Sequence, residues 1–163
     1  MKYISLFTIN LIIFGCYGIE PEKTGFEGKE IPSFKILLRD SSTYLDTKSI
    51  KNGKPIVLFY YGPHCPYSRA QMEEMLENMS IMKNIQFVLI THSQFSEMNK
   101  FCSHYGINKY NNIVSGIDYN NFLGDYFKIT GVPFTAIYDK DKKLISAFTG
   151  KIFVKQIIST VNP

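Results

Sequence analysis

Apolar positions in the first part of the chain follow a pattern that predicts strands. Residues 34–38 and 43–45 are short apolar runs on either side of the polar stretch Asp40-Ser41-Ser42, which predicts a β-hairpin. Residues 55–61, PIVLFYY, form an apolar run of strand length without alternation. Such a run is typical of a central strand that is covered on both faces.

A helical period begins soon after this strand. Apolar side chains recur every three or four residues and predict one buried helix face, formed by Met72, Met75, Leu76, Met79 and Met82. We interpret these methionines as core packing rather than as a metal or cofactor site. A strand over residues 85–91 and a helix over residues 93–105 follow. That helix is predicted to present Phe95, Met98, Cys102 and Tyr105 on one side.

The remaining segment predicts a further strand and short helix, then a hairpin and a closing helix. The strands are expected at residues 112–118, 134–139 and 144–148, and the short helix at 122–129. Alternating strands and helices that end in a hairpin predict an α/β domain over residues 31–163. Its central sheet is expected to have mixed strand direction and to be flanked by helices.

The first residues contain one lysine, Lys2, followed by a largely apolar stretch from Tyr3 to Phe14. This stretch is shorter than the roughly 20 residues of a membrane-spanning helix, so residues 1–15 are predicted to be a secretory signal peptide. Ile13-Phe14-Gly15-Cys16 resembles a bacterial lipobox, which predicts a lipid anchor at Cys16 and a periplasm-facing location in the bacterial cell envelope. The alternative is ordinary cleavage near Gly18, which leaves Cys16 removed or free.

Composition narrows the classes of function. The 163 residues are 45% hydrophobic, which suits one domain, and polar residues 16–30 predict a flexible tether before it. The net charge of +4 comes largely from scattered lysines, so no nucleic-acid partner is expected. Three cysteines give no even-numbered disulfide framework, and their spacing to other Cys or His residues predicts no metal site. No cofactor is expected.

Cys65 stands where the central strand ends and the first helix begins. Free N–H groups at a helix start carry partial positive charge and favour a thiolate. Pro66 suits the first helical position because its missing N–H costs nothing there. Ser68, one turn later, is expected to donate its hydroxyl hydrogen to the thiolate. His64 either assists electrostatically or is a solvent-exposed bystander.

A serine at position 68 limits what this site can do. In a dithiol site, a second sulfur attacks the mixed disulfide and releases the product, and a hydroxyl does not. We therefore predict a one-thiol exchange site at Cys65. Cys102 lies on the inward face of the second helix and is expected to be a small buried hydrophobe. As a resolving thiol it would need its Cα within about 7 Å of that of Cys65, or an opening of the helix.

The order of elements, with Cys65 at the first strand-to-helix junction and Val132-Pro133 before the late hairpin, resembles the thioredoxin fold. IPSFKILLRD, GKPIVLFYYGPHCPYS and TGVPFTAIYDKDKKLISAFTG resemble the opening and closing segments of TlpA-like redoxins, which are related to the AhpC/TSA superfamily. VSGIDYNNFLGDYF lies where those proteins insert a strand and a helix. The resemblance covers residues 31–161. It implies a thioredoxin-like fold with an N-terminal β-hairpin extension and an inserted strand-helix.

The resemblance also implies roles for residues around Cys65. Pro133 is expected to be held cis beside the nucleophile, as part of the catalytic site with Cys65 and Ser68. Val132 is expected to offer its backbone to an extended substrate as an added strand. His64, Pro66 and Tyr67 would contact that substrate, and Phe134 would rim the groove with Tyr67. The implied partners are protein disulfides and thiols, or low-molecular-weight thiols.

Three functions remain open at this point. The first is an exported thiol–disulfide oxidoreductase that acts through Cys65. The second is a peroxiredoxin-like peroxidase, which is disfavoured because Gly62 stands where those enzymes carry a threonine. Those enzymes also bring an arginine close from later in the chain, whereas the only arginines, Arg39 and Arg69, both lie upstream of where it should come from. The third is not an enzyme: it is a redox-inactive envelope module that binds extended polypeptide along Val132, or a module that holds client thiols by a mixed disulfide.

Overall fold

A computed structural model describes residues 18–162, so the predicted signal peptide at 1–15 and the predicted lipidation site at Cys16 lie outside the described residues. The described range contains strands, α-helices and three single 3₁₀ turns. The strands are β1 Lys35–Leu38, β2 Tyr44–Asp46, β3 Ile56–Tyr60, β4 Gln86–Thr91, β5 Ile113–Ile117, β6 Phe134–Tyr138 and β7 Leu144–Thr149. The helices are α1 Pro66–Glu77, α2 Phe95–His104, α3 Phe122–Phe127 and α4 Val154–Val161. Within residues 18–162, no helix has the length and apolar content needed to cross a membrane.

The strands form one mixed sheet in the order β2-β1-β5-β4-β3-β6-β7. Strands β3, β4 and β5 run parallel to one another, and β6 runs antiparallel to β3. The carboxyl ends of the three parallel strands therefore meet at one edge of the sheet, which we call the upper edge. Cys65 follows the end of β3 there. The predicted hairpin β1–β2 extends the sheet through antiparallel pairing of β1 with β5.

Two hydrophobic cores lie on opposite faces of the sheet. Helices α1, α2 and α4 contribute Met75, Met98 and Ile157 to one core, and α3 contributes Leu123 to the other. Every residue of β3 is buried, and its side chains alternate between the two cores. The continuous apolar run in the sequence is explained by this burial on both faces.

Helix α1 ends earlier than its apolar stripe suggests. The methionines at positions 72, 75, 79 and 82 are all buried as predicted, but the α-helix stops at Glu77. Asn78 donates its side-chain amide to the carbonyl of Glu74 at 2.9 Å, in competition with helical bonding, and a 3₁₀ turn follows. The last two methionines thus reach the core from this turn and the residue after it.

Residues 22–30 differ from the flexible tether that we predicted for residues 16–30. The N–H of Glu22 donates to Ala147 at 2.8 Å, and the N–H of Gly28 donates to Leu144 at 2.8 Å, both on strand β7. The ring of Phe26 stacks on Tyr126 at a centroid distance of 4.2 Å. This segment therefore covers the outer edge of β7, which would otherwise expose unpaired backbone groups.

Candidate active site around Cys65

Local backbone geometry fixes Cys65 at the start of α1. The turn after β3 closes with the N–H of Cys65 donating to the carbonyl of Gly62 at 3.0 Å. Cys65 is the N-cap residue with an extended backbone, and Pro66 occupies the first helical position. The carbonyl of Cys65 accepts the N–H of Arg69 at 3.1 Å as the first helical hydrogen bond. The cysteine thus lies where the free N–H groups of the helix converge.

Opposing effects set the acidity of the Cys65 thiol. Burial of the sulfur raises its pKa, whereas the N–H and hydroxyl of Ser68 and the N–H of Tyr67 stabilise the thiolate. The second group of effects is larger in sum, so the pKa of Cys65 lies below its ordinary value. The oxygen of Ser68 is fully buried and accepts the N–H of Gly62 at 3.3 Å, which leaves its hydrogen available for the sulfur.

The loop before β6 forms the other wall of the site. The Val132-Pro133 peptide bond is cis, as the resemblance implies. The Cys65 thiol donates a hydrogen bond to the carbonyl of Val132, with 3.3 Å between Sγ and the oxygen. The carbonyl of Pro133 accepts the N–H of Gly150 at 2.8 Å, which ties the loop to the end of β7. The structure therefore brings Cys65, Ser68, Val132 and Pro133 together.

Gly62 is in close contact with both walls. A Cβ atom at this position would lie 3.1 Å from Cγ2 of Val132 and 3.4 Å from Cβ of Cys65. A threonine here, as in the peroxidase hypothesis, would require the side chain of Val132 to shift by a few tenths of an ångström. Among residues 18–162, neither arginine hydrogen-bonds to Cys65 as the peroxidase hypothesis requires. Nε of Arg69 donates to the carbonyl of Pro63 at 2.8 Å, and Nε of Arg39 donates to Asn99 at 3.2 Å. The structure thus adds a steric argument against the peroxidase hypothesis.

Of the remaining residues predicted to contact a substrate, three are exposed beside Cys65 and one is buried. Pro66, Tyr67 and His64 are exposed around Cys65. His64 is paired with Glu97 of α2, with 2.9 Å between Nε2 and the carboxylate oxygen. The prediction for Phe134 is wrong, because its side chain is buried in the core beneath the loop and packs on Phe127 at a centroid distance of 5.0 Å.

Cys102 is fully buried in α2, as predicted. Its thiol donates to the hydroxyl oxygen of Ser115 on β5 at 3.3 Å. Burial is the main cause that raises the pKa of the neighbouring Tyr61 above its ordinary value, and the proximity of Cys102 is the second. Both Cys65 and Cys102 are free thiols.

The roles of two residues at the site were not predicted from the sequence. Arg69 fixes the carbonyl of Pro63, two residues before the nucleophile, and Glu97 holds His64. Arg69 had a local signal, since a helix places it one turn beyond Cys65. Glu97 had none, because it is 33 residues from His64 in the chain. Within residues 18–162, no three His, Cys, Asp or Glu side chains converge as metal ligands.

Solved structures with a similar fold come from several organisms. A secreted Mycobacterium tuberculosis disulfide oxidoreductase homologous to E. coli DsbE is 20% identical, with 78% of this chain and 91% of that one covered and a TM-score of 0.62. M. tuberculosis DsbF is 20% identical, with coverages of 79% and 92% and a TM-score of 0.64. A thioredoxin-like protein of Aeropyrum pernix is 15% identical, with coverages of 79% and 89% and a TM-score of 0.64. These likenesses show that the α/β fold is thioredoxin-like.

Comparisons of sequence identify the family of the chain. The methylamine utilization protein MauD of Methylophilus methylotrophus is 22% identical over 119 residues, which are 73% of this chain and 54% of MauD. The chain thus spans about half the length of this curated relative. The model of the AhpC/TSA family matches residues 28–155, which include the whole site around Cys65. The chain therefore belongs to the AhpC/TSA family.

Proposed function

We propose that this protein is an exported thiol–disulfide oxidoreductase that acts through a single nucleophile, Cys65. The observation that carries the proposal is the position of its sulfur. It is partly exposed at the start of α1, its pKa is lowered by Ser68 and Tyr67, and it lies 3.3 Å from the carbonyl of Val132. A thiolate held open to solvent beside a backbone edge suits attack on a disulfide.

The reaction proceeds by two exchanges. The Cys65 thiolate attacks one sulfur of a substrate disulfide, forms a mixed disulfide with it and releases the other sulfur as a thiolate. A second, external thiolate then attacks the substrate sulfur of the mixed disulfide and restores the Cys65 thiolate. The substrate leaves as a disulfide with that external thiol. Ser68 stabilises the thiolate but cannot take the place of the external thiol.

The backbone of Val132 supplies a surface for an extended polypeptide. Among residues 18–162, its N–H donates no hydrogen bond, and its carbonyl accepts only the Cys65 thiol. Ionisation of Cys65 removes that donor, so both groups of Val132 become available to a substrate strand. The exposed ring of Tyr67 lies beside Cys65 and offers an apolar contact. We therefore propose protein disulfides as the principal substrates.

The proposed location is the bacterial cell envelope, with a lipid anchor at Cys16. It rests on the lipobox-like residues 13–16 and on the secretory character of residues 1–15. We expect metabolic labelling with palmitate to mark the full chain in bacteria and Cys16→Ser to abolish the label. Label that persists in Cys16→Ser would contradict the lipid anchor. It would not bear on the proposed exchange chemistry at Cys65.

The lowered pKa of Cys65 predicts the pH dependence of its alkylation. The thiolate is the reactive form above the pKa, so a lowered pKa extends fast alkylation to lower pH than for an ordinary cysteine, whose pKa is about 8.5. Ser68→Ala removes the stabilising hydroxyl, and we expect it to move the midpoint of the profile upward. The measurement is the rate of iodoacetamide reaction at Cys65 from pH 5 to pH 10, with the site identified by peptide mass spectrometry.

The same profile distinguishes the oxidoreductase from a redox-inactive binding module. The serine at position 68 favours the module, because it removes the thiol that turnover in a dithiol site requires. A midpoint close to 8.5 for the natural chain, unchanged in Ser68→Ala, would support the module and contradict the proposed enzyme. A lower midpoint that rises in Ser68→Ala supports the enzyme.

A further inference from the structure

The first residues that the structure describes are fixed against the start of α4. Nε2 of Gln156 donates to the carbonyl of Ile19 at 3.0 Å, and Oε1 of the same side chain accepts the N–H of Phe153 at 3.2 Å. The side chain of Ile19 also lies over Gly150, where an added Cβ atom would come within 3.2 Å of its Cδ1. Ile19 is therefore held at the junction of β7 and α4, and residues 22–30 continue from it along β7.

This attachment point lies at the same edge of the sheet as the nucleophile. Strand β7 runs antiparallel to β6, which runs antiparallel to β3, so β3 and β7 both end at the upper edge. Cys65 follows the end of β3, and Gly150 follows the end of β7. The N–H of Gly150 donates to the carbonyl of Pro133 at 2.8 Å. Ile19 thus contacts a residue that is hydrogen-bonded to the loop beside Cys65.

Two apolar side chains are exposed at this point. Ile19 is 39% exposed and Phe153 is 44% exposed. The ammonium groups of Lys151 and Lys155 lie 5.0 and 5.4 Å from the centroid of the Phe153 ring. Exposed apolar side chains flanked by lysines are typical of surfaces that lie at a membrane interface, where the ammonium groups stay among the lipid headgroups. We call the surface formed by these four residues the α4 patch.

The proposed lipid anchor is attached close to the α4 patch. Cys16 precedes Gly18 by two residues, and two residues of extended chain span at most about 7 Å. Gly18 itself lies against the side chain of Gln156, since an added Cβ atom would come within 2.6 Å of Nε2. A lipid on Cys16 therefore brings the start of α4 to the surface of the bilayer.

We propose that the α4 patch docks on the phospholipid bilayer and gives the lipidated protein one preferred orientation, with the edge that carries Cys65 near the membrane. This inference rests on the proposed lipid anchor at Cys16 and not on the proposed exchange chemistry. The lipid supplies the attachment, and contact of Ile19 and Phe153 with the acyl boundary supplies the orientation. The short span between the anchor and the first fixed residue leaves the domain little freedom to turn its other faces to the membrane.

Apolar contact rather than net charge is expected to set this orientation. Lys151 forms an ion pair with Glu74, and the acidic Glu20 follows Ile19 in the chain. Salt screens interactions between exposed charges but not apolar contact. We therefore expect the orientation of the domain to persist in high salt.

A single tryptophan can report the depth of the α4 patch, because the natural chain contains no tryptophan. The lipidated Phe153→Trp chain is reconstituted in vesicles of phosphatidylethanolamine and phosphatidylglycerol with brominated acyl chains, since bromine quenches tryptophan on contact. We expect blue-shifted emission and loss of at least about half of the fluorescence, as for a side chain at the acyl boundary. Tyr44→Trp is the matched control. Tyr44 is 58% exposed on β2, at the opposite end of the sheet, and its replacement should remain unquenched.

The pattern of quenching distinguishes the occupants of the patch. Equal quenching at positions 153 and 44 would show that the domain has no preferred orientation, and would overturn the proposal. Blue-shifted emission at position 153 that brominated lipid does not quench would indicate that a protein covers the patch, and would also overturn it. Palmitate labelling of the same preparation separates docking from anchoring. A labelled chain without quenching overturns the docking alone, whereas an unlabelled chain overturns both and leaves the chemistry of Cys65 untouched.

A pair of matched substitutions tests the role of the apolar contact. Ile19→Asp in the Phe153→Trp chain places a charge in the patch, and we expect it to reduce the quenching about two-fold or more. Ile81→Asp makes the same change at a side chain that is 66% exposed in the turn after α1, and should leave the quenching unchanged. Equal effects of the two substitutions, or quenching that high salt abolishes, would overturn the proposal.

Discussion

Ser68→Cys is expected to convert the protein into an efficient disulfide reductase. Ser68 lies one helical turn after Cys65 and is in contact with it, so a thiol at this position can attack a mixed disulfide on Cys65 and release the substrate. In an insulin reduction assay with dithiothreitol, we expect the turnover of Ser68→Cys to exceed that of the natural chain on the order of a hundred-fold. The internal thiol replaces a slow collision with an external one.

The same experiment requires two controls. Ser68→Ala removes the hydroxyl without supplying a thiol, and should not gain turnover. Cys102→Ser tests the remaining thiol of the described range, and should leave the natural rate unchanged because Cys102 is fully buried. A natural chain that already turns over at the rate of Ser68→Cys would disprove the one-thiol mechanism. If Cys102→Ser then removed that activity, Cys102 would be the resolving thiol.

The sequence was sufficient to place Cys65 because its placement depends on local signals. An apolar run predicts a buried strand, Pro66 fits the first position of a helix, and the methionine period predicts the buried face of that helix. Each of these signals lies within about twenty residues of the cysteine. Local periodicity also placed Cys102 on the inward face of α2, where the structure shows it buried.

Contacts between distant segments could not be predicted in the same way. Phe134 follows Pro133 directly, but it begins β6, where burial depends on α3 packing against the sheet. Glu97 meets His64 because α2 lies beside the start of α1, and nothing in the spacing of the two residues shows it. Residues 22–30 are polar enough for a tether, yet the free edge of β7 gives their backbone hydrogen-bond partners. In each case the decisive partner is supplied by tertiary packing.

The two cysteines of the folded domain are expected to differ in reactivity by at least about two orders of magnitude, because a buried thiol reacts only when the structure opens. Cys65 is partly exposed and its pKa is lowered, whereas Cys102 is fully buried and its thiol donates to Ser115. In the folded protein at pH 7, iodoacetamide should therefore modify Cys65 rapidly and Cys102 very slowly. Mass spectrometry of the digested chain measures the modification of each cysteine separately, so any reaction at Cys16 is distinguished from reaction at Cys65 or Cys102.

Unfolding provides the control for this comparison. In guanidinium chloride both thiols are exposed to solvent, and we expect their rates to become similar, because the dipoles and packing that separate them are lost. Cys65→Ser should remove the fast reaction in the folded chain, and Cys102→Ser should leave it intact. Similar rates for both cysteines in the folded protein would contradict the placement of Cys102 in the core. They would also remove the basis for treating Cys65 as the single nucleophile, because selective attack depends on one thiolate being accessible while the other thiol stays enclosed.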